Sequence, residues 1–248
     1  MTIGDKGYLM RIVLCALGFG FLATSALAAA DYDKTDKTKA YEIRLRIAEP
    51  AMAIPKLRDE IVKRFKKETA EIKKDSTSDL KEIPEYFHPY SFDADWRVTF
   101  ENDHIISLST NTFIDQNGAH PNGEFDSIVW DKRANRVVPF HELFAPGKAQ
   151  AAFKAIADAA RKAWVKSATE KAGADTDMSE ADEGIAADEK KLGHYALTYA
   201  KGDTKANGIV LLYGPGEVWA HVLGDFRLSI PVSVFRDDLT PEWRAEFK

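Results

Sequence analysis

The stretch Ser91-Phe92-Asp93-Ala94-Asp95-Trp96-Arg97-Val98-Thr99-Phe100 alternates apolar and polar residues without a break. Successive side chains of an extended backbone point to opposite faces. Phe92, Ala94, Trp96, Val98 and Phe100 would therefore share one covered face, and Asp93, Asp95, Arg97 and Thr99 the other. A helix would scatter the same apolar residues around its circumference, so the segment predicts a strand. Glu101-Asn102-Asp103 turns the chain into a second strand, Ile105 to Ile114. Asn117-Gly118 and Asn122-Gly123 then bracket a connection into a third, Phe125 to Trp130, and Asn-Gly pairs read as suppliers of the positive φ angles that tight turns need. A further turn at 131–136 and a brief strand lead to His141-Glu142-Leu143-Phe144. The centre of the chain reads as an antiparallel meander.

Toward the N-terminus, Tyr41, Ile43, Leu45 and Ile47 alternate with Glu42, Arg44 and Arg46, predicting another half-buried strand. Leu57, Ile61, Phe65 and Ile72 recur at helical spacing, and Pro55 stands where helices favour proline, at the first turn. This predicts a helix over 55–74, a polar loop over 75–89 and a flexible lead-in over 30–38. Toward the C-terminus, Phe153, Ile156, Ala157, Ala160 and Trp164 mark a second amphipathic helix near 149–171. An acidic excursion, 175–189, precedes three strands at 194–200, 208–213 and 226–232. Ile209 to Leu212 is apolar on both faces, so it belongs at the centre of its sheet. Thr240-Pro241 opens a short terminal helix. The expected fold class is α+β: antiparallel β-sheets with two main amphipathic helices packed against them.

The first thirty residues have the three parts of a secretion signal: Lys6 and Arg11, an apolar run from Ile12 to Leu27, and small residues ending in Ala28-Ala29-Ala30. Cleavage near Ala28 to Ala30 would deliver the remainder to the periplasm of a Gram-negative bacterium. The run is shorter than the roughly 20 apolar residues of a spanning helix, so no membrane span is expected after cleavage. Cys15 lies inside the signal and lacks the preceding Gly or Ala of a lipoprotein site. The mature chain would carry no thiol for a disulfide, a nucleophile or a metal. Losing Lys6, Arg11 and Asp5 with the signal moves the net charge from −5 to −6. That balance disfavours nucleic acid and anionic membranes as partners and suits a basic one.

Reactive constellations are sparse. Ser78-Asp79-Leu80-Lys81 matches S-x-x-K, but the companion elements of that chemistry are missing and the segment reads as a charged loop. Asp175-x-Asp177-x-Ser179 begins like a calcium loop, yet Glu180 and Ala186 occupy the positions of its glycine and closing glutamate. His88, His104, His120, His141, His194 and His221 show no metal-ligand spacing, and each reads as a surface or core-edge residue. No cofactor or metal is expected. The densest stretch is Asp115 to Gly123, in which Asp115, Asn117, Gly118 and Asn122 surround His120. These residues either present the imidazole to a ligand or shape a loop that the imidazole locks.

Asn117-Gly118-Ala119-His120-Pro121-Asn122, followed by a strand and then Val137 to Phe144, resembles a family of extracytoplasmic domains. That family includes the exported domain of the lysozyme-sensing anti-sigma factor RsiV and a domain appended to the peptidoglycan deacetylase PdaC. Gly208 to Tyr213, Glu217 to Gly224 and Phe226 to Ser233 are similar to its closing strand, turn and final strand. The resemblance spans roughly 41–239. Asn117 stands for a glycine, as Asn tolerates the left-handed region, and Ala220 and His221 stand for a proline and a tyrosine.

The resemblance implies a PdaC-like N-terminal subdomain over 31–145 and an RsiV-like C-terminal one over 146–248. It implies binding without catalysis. The ligand would be a basic lysozyme-like muramidase or a peptidoglycan fragment, met by Asp115, Asn117, Gly118, His120 and Asn122 with Tyr213, Glu217 and His221. Two other readings stand beside it. One is an envelope-glycan hydrolase using His120 or His221 with a carboxylate. The other is a structural envelope factor that binds another protein through a sheet edge. Convergence of the 115–123 and 213–224 segments on one cleft is the geometric expectation that separates a built site from two unrelated loops.

Overall fold

The computed structural model of the chain describes residues 32–172 and 184–248. The expected signal peptide, the calcium-like loop start at Asp175 and most of the acidic excursion lie outside them. The elements are β1 (Tyr32–Lys37), β2 (Tyr41–Ile47), α1 (Glu49–Met52), α2 (Pro55–Glu82), β3 (Tyr90–Glu101), β4 (Ile105–Asp115), β5 (Asn122–Asp131) and β6 (Arg136–Val137), followed by α3 (Ala149–Ala172), β7 (Tyr195–Thr198), β8 (Gly208–Tyr213), β9 (Phe226–Pro231) and α4 (Pro241–Glu246). The first six strands form one sheet in chain order, and β7-β8-β9 form a second. The fold is α+β, as the residue pattern predicts.

All strand pairs are antiparallel except β2 with β3, which run parallel from Tyr41 opposite Tyr90 to Ile47 opposite Trp96. The exception follows from connectivity: parallel neighbours need a long crossover, and α2 supplies it. Leu57, Ile61, Thr69, Ile72 and Ser76 of α2 are buried. Leu57, Ile61 and Ile72 share a core with Ile43, Leu45, Phe92, Trp96, Leu108 and Ile128 on one face of the large sheet. The other face contributes Phe100, Ile105 and Val129 to a second core, filled by Trp164, Ile156, Tyr195, Ile209 and Leu228 of α3 and the small sheet. Two hydrogen bonds tie the sheets together inside this core. The Leu197 amide donates to the Ser107 hydroxyl at 3.0 Å, and the Tyr195 hydroxyl donates to the Val138 carbonyl at 3.0 Å.

Three local expectations are corrected. The lead-in is a strand, β1, paired along its length with β2 and held by Arg44 to Asp33 and by Lys73 of α2 to Asp36 at 2.8 Å. Helix α2 continues eight residues past 74 because Ser76 is fully buried and the Ser76 and Thr77 hydroxyls bond back to the Lys73 carbonyl at 3.2 and 2.7 Å. Ser78 is therefore helical, its hydroxyl donating to Glu82 at 3.0 Å. Finally, Asn117 has a φ of 60°, but Asn122 and Gly123 open β5 without a positive φ. They pair with Ile114 and Phe113 and extend the ladder to its last rung.

Candidate functional site

The two segments converge. Long paired strands carry the first: β4 ends at Asp115, β5 begins at Asn122, and the loop between them projects from one end of the large sheet. The second leaves β8 at Tyr213 through Gly214-Pro215-Gly216-Glu217. The Glu217 amide donates to the Gly214 carbonyl at 3.2 Å and Gly216 has a φ of 85°. Proline second and a positive-φ glycine third are what a type II turn requires. The Glu217 carboxylate accepts from the Gly214 amide at 2.9 Å and closes the turn on itself.

Contact between the segments is direct. The His120 and His221 rings lie 4.1 Å apart, centroid to centroid, at 30°. His221 Nε2 donates to Asn122 Oδ1 at 3.1 Å, and His120 Nδ1 donates to the Pro121 carbonyl at 3.2 Å. Beneath them the backbones touch: a Cβ built on Gly214 would stand 2.8 Å from the Gly123 carbonyl oxygen. Only glycine allows that approach.

The remaining candidates divide by role. Asp115 accepts from the Asn117 amide at 3.1 Å, and the Asn117 side chain donates to the His88 carbonyl at 2.9 Å. Both shape the loop. Gly118 is exposed, with only the His120 carbonyl near its missing Cβ, at 3.8 Å. Tyr213 is 4 % exposed and its hydroxyl has no hydrogen-bond partner. Burial and the nearby Glu217 charge raise that phenol well above its ordinary value. The hydrolase reading requires both rings and an acid in one hollow. The rings do meet, but at the rim, and the partners they bond are Asn122 and a backbone carbonyl.

The acids lie next door, in a cleft of about 410 Å³ lined by Glu68, Asn122, Gly123, Glu124, Asp126, His194 and Glu217. Sequence reasoning missed most of it. Beside it a hollow of about 290 Å³ takes in His194, Glu217, Tyr213, Lys190 and Lys191. A third, of about 410 Å³, runs past Asp126, His194 and Lys190 to Val138 and Phe140. His194 lines all three, so they form one groove between α2, the open edge of β5 and the small sheet. Arg64 of α2 holds Asp126 at 2.9 and 3.0 Å and the Ser127 carbonyl at 3.2 Å. His194 Nδ1 stands 3.9 Å from Asp126. His104 Nδ1 donates to Glu246 at 2.8 Å, away from the groove, and His141 Nδ1 donates at 2.9 Å to Glu189, which lines the third hollow. Among the described residues no three His, Cys, Asp or Glu side chains are arranged to hold a metal ion, and no helix is long and apolar enough to cross a membrane.

Glu68 is the electrostatic anomaly of the groove. Partial desolvation on the cleft wall, then the Asp126 and Glu124 charges, push its carboxyl up to about 7, against Arg64 and Lys67. A carboxyl raised on folding costs stability as pH climbs from the ordinary 4.5 through 7, because the unfolded chain ionises first. Glu68 remains partly in solvent, which screens the penalty to about 1 kcal/mol. Glu68→Gln is expected to stabilise the fold by that amount at pH 8 and to be neutral at pH 4. Urea denaturation at the two pH values measures the difference, and equal effects would remove the assignment.

Residues 34–123 match the family model described as deacetylase PdaC. The match runs from β1 to the start of β5 and includes Asp115, Asn117, Gly118, His120 and Asn122. A DUF3298 family protein from Pseudomonas aeruginosa PAO1 is similar in structure, with 16% sequence identity and a TM-score of 0.53, over 86% of this chain and 94% of that one. A DUF3298 family member from Bacteroides fragilis NCTC 9343 is similar at 14% identity and a TM-score of 0.52, over 88% and 95%. At these identities the likeness is one of fold. No curated protein matches the chain. The chain thus carries a PdaC-like domain over residues 34–123, within a fold that resembles that of DUF3298 family proteins.

Proposed function

We propose that the protein is a non-catalytic binding module of the bacterial cell envelope, exported to the periplasm, that takes a peptidoglycan fragment at the rim and groove described above. One observation carries the reading: the loop between β4 and β5 and the turn after β8 come from different sheets and meet, His120 on His221 and Asn122 on His221, beside a groove. Ligand sites favour concave seams between packed units with a few convergent polar groups. The size of the groove favours a small fragment over a folded muramidase, whose interface would need about 800 Å² of this surface.

The test is co-sedimentation of the purified protein, without residues 1–30, with peptidoglycan sacculi, alongside a pull-down on immobilised lysozyme. Sacculi are expected to retain it. An Asn122→Ala, His221→Ala double variant should bind at least tenfold more weakly with an unchanged circular dichroism spectrum. Retention on lysozyme alone would transfer the reading to a protein partner. Retention on neither, or release of soluble muropeptides, would end it.

A further inference from the structure

The groove has two electrical ends. Glu68 and Glu124 stand at one, with no hydrogen bond or ion pair to any side chain among the described residues, while Asp126 beside them is already taken by Arg64 and Glu217 is closed on its own turn. Lys190 and Lys191 stand at the other, their ammonium groups without a partner among the described residues. His194 and Glu217 belong to both hollows and join the ends. On an ordinary acidic surface charges of both signs intermingle and pair, as Asp33 with Arg44 and Lys73 with Asp36 do along β1, β2 and α2. Here, among the described residues, the unpaired charges divide by sign between the two ends, while Glu189, which lines the third hollow beside Lys190, is bonded to His141.

A second observation points the same way without using charge. Tyr213 lines the lysine-bearing hollow, is 4 % exposed, and its hydroxyl has no partner among the described residues. A buried hydroxyl left unpaired costs about 1–3 kcal/mol. An acceptor brought by a ligand would remove that cost.

We infer that the groove binds a short peptide carrying both a free ammonium and a free carboxylate group, the ammonium between Glu68 and Glu124 and the carboxylate toward Lys190 and Lys191. The inference rests on the reading of the rim as a ligand site and narrows it to the peptide portion of the envelope polymer. Each end supplies the counter-charge the other lacks, and the Tyr213 hydroxyl gains an acceptor from the carboxylate end. Raising the pH through 7 ionises Glu68 and should strengthen the ammonium contact.

The probe is the tripeptide L-Ala-γ-D-Glu-meso-diaminopimelate, titrated calorimetrically into the protein at low salt. Two controls are the same peptide with its amines acetylated and with its carboxylates amidated. The free peptide is expected to bind, and each blocked form to bind at least tenfold more weakly. Glu68→Gln with Glu124→Gln should erase discrimination against the acetylated form and keep it against the amidated one. Lys190→Ala with Lys191→Ala should do the reverse. Blocked peptides that bind as well as the free one would overturn the inference. So would sacculi that retain the protein while the tripeptide neither binds nor competes; the broader reading would survive that result. If neither sacculi nor peptide binds, both fall.

Discussion

Gly214→Ala is expected to lower stability by about 2 kcal/mol and to weaken ligand binding at least tenfold. The added methyl group would sit 2.8 Å from the Gly123 carbonyl oxygen, inside van der Waals contact. Neither neighbour can yield cheaply. Gly123 is locked in the β4–β5 ladder opposite Phe113, and Gly214 is pinned by its hydrogen bond to Glu217. Overpacking against backbone costs about 1–3 kcal/mol. The relief available is to swing the 214–217 turn away from β5, which would separate His221 from Asn122 and His120. For a chain of this size about 2 kcal/mol is a fall of roughly 4–8 °C in melting temperature. Gly118→Ala is the control: its Cβ would meet nothing closer than 3.8 Å and its φ is not positive. It should melt within about 1 °C of the parent. A Gly214→Ala variant that melts and binds like the Gly118→Ala variant would show that the close approach does not hold the site together.

The residues that announce the fold are those whose periodicity meets a buried face. Phe92 to Trp96 and Tyr41 to Ile47 read as strands because one side of each lies in a core, whereas Phe100, expected on the same face, enters the other core past an irregularity between Val98 and Phe100 that the alternation does not show. Strand β1 could not be read, since Asp33, Lys34, Asp36 and Lys37 look like a solvated linker. What orders them is a ladder and ion pairs with residues five or more positions away. The last turns of α2 failed for a related reason: Ser76 is polar in sequence and fully buried in place. The parallel β2–β3 pair was hidden because alternation carries no direction. Part of the site was legible through Asn, Gly and Pro chemistry. Asn117 does take the left-handed conformation, and the turn after β8 has its glycines where the bends are. Glu68 was not legible, because an acid among lysines on a helix surface looks the same whether water or a cleft wall faces it. His194 reads in the sequence as one surface or core-edge histidine among six, although three hollows meet on it.

Arg64→Ala should be about as damaging as Gly214→Ala, by a different route. Arg64 crosses from α2 to β5, bonding both carboxylate oxygens of Asp126, the Ser127 carbonyl and Glu60 of its own helix. The two partners are largely withdrawn from solvent, their side chains 27% and 19% exposed. Removing the guanidinium would leave Asp126 with the Ser127 amide at 2.7 Å and His194 at 3.9 Å. Orphaning one member of a fully buried pair costs about 3–5 kcal/mol, and partial exposure here brings that to about 2. The loss should depend on pH, because Arg64 is also the first of the cations holding Glu68 down. Without it the Glu68 carboxyl rises above about 7, and the folded state is penalised further wherever the unfolded chain has already ionised. The deficit relative to the parent is therefore larger at pH 8 than at pH 5. Arg64→Lys should recover part of the stability, since one ammonium can replace the charge but not the fork that bonds Glu60 through Nε and Asp126 with the Ser127 carbonyl through Nη1. Urea titrations of the three proteins at both pH values would decide it. A deficit equal at pH 5 and pH 8 would mean that Arg64 acts by packing alone and that the acidic wall of the groove is not electrostatically coupled to it.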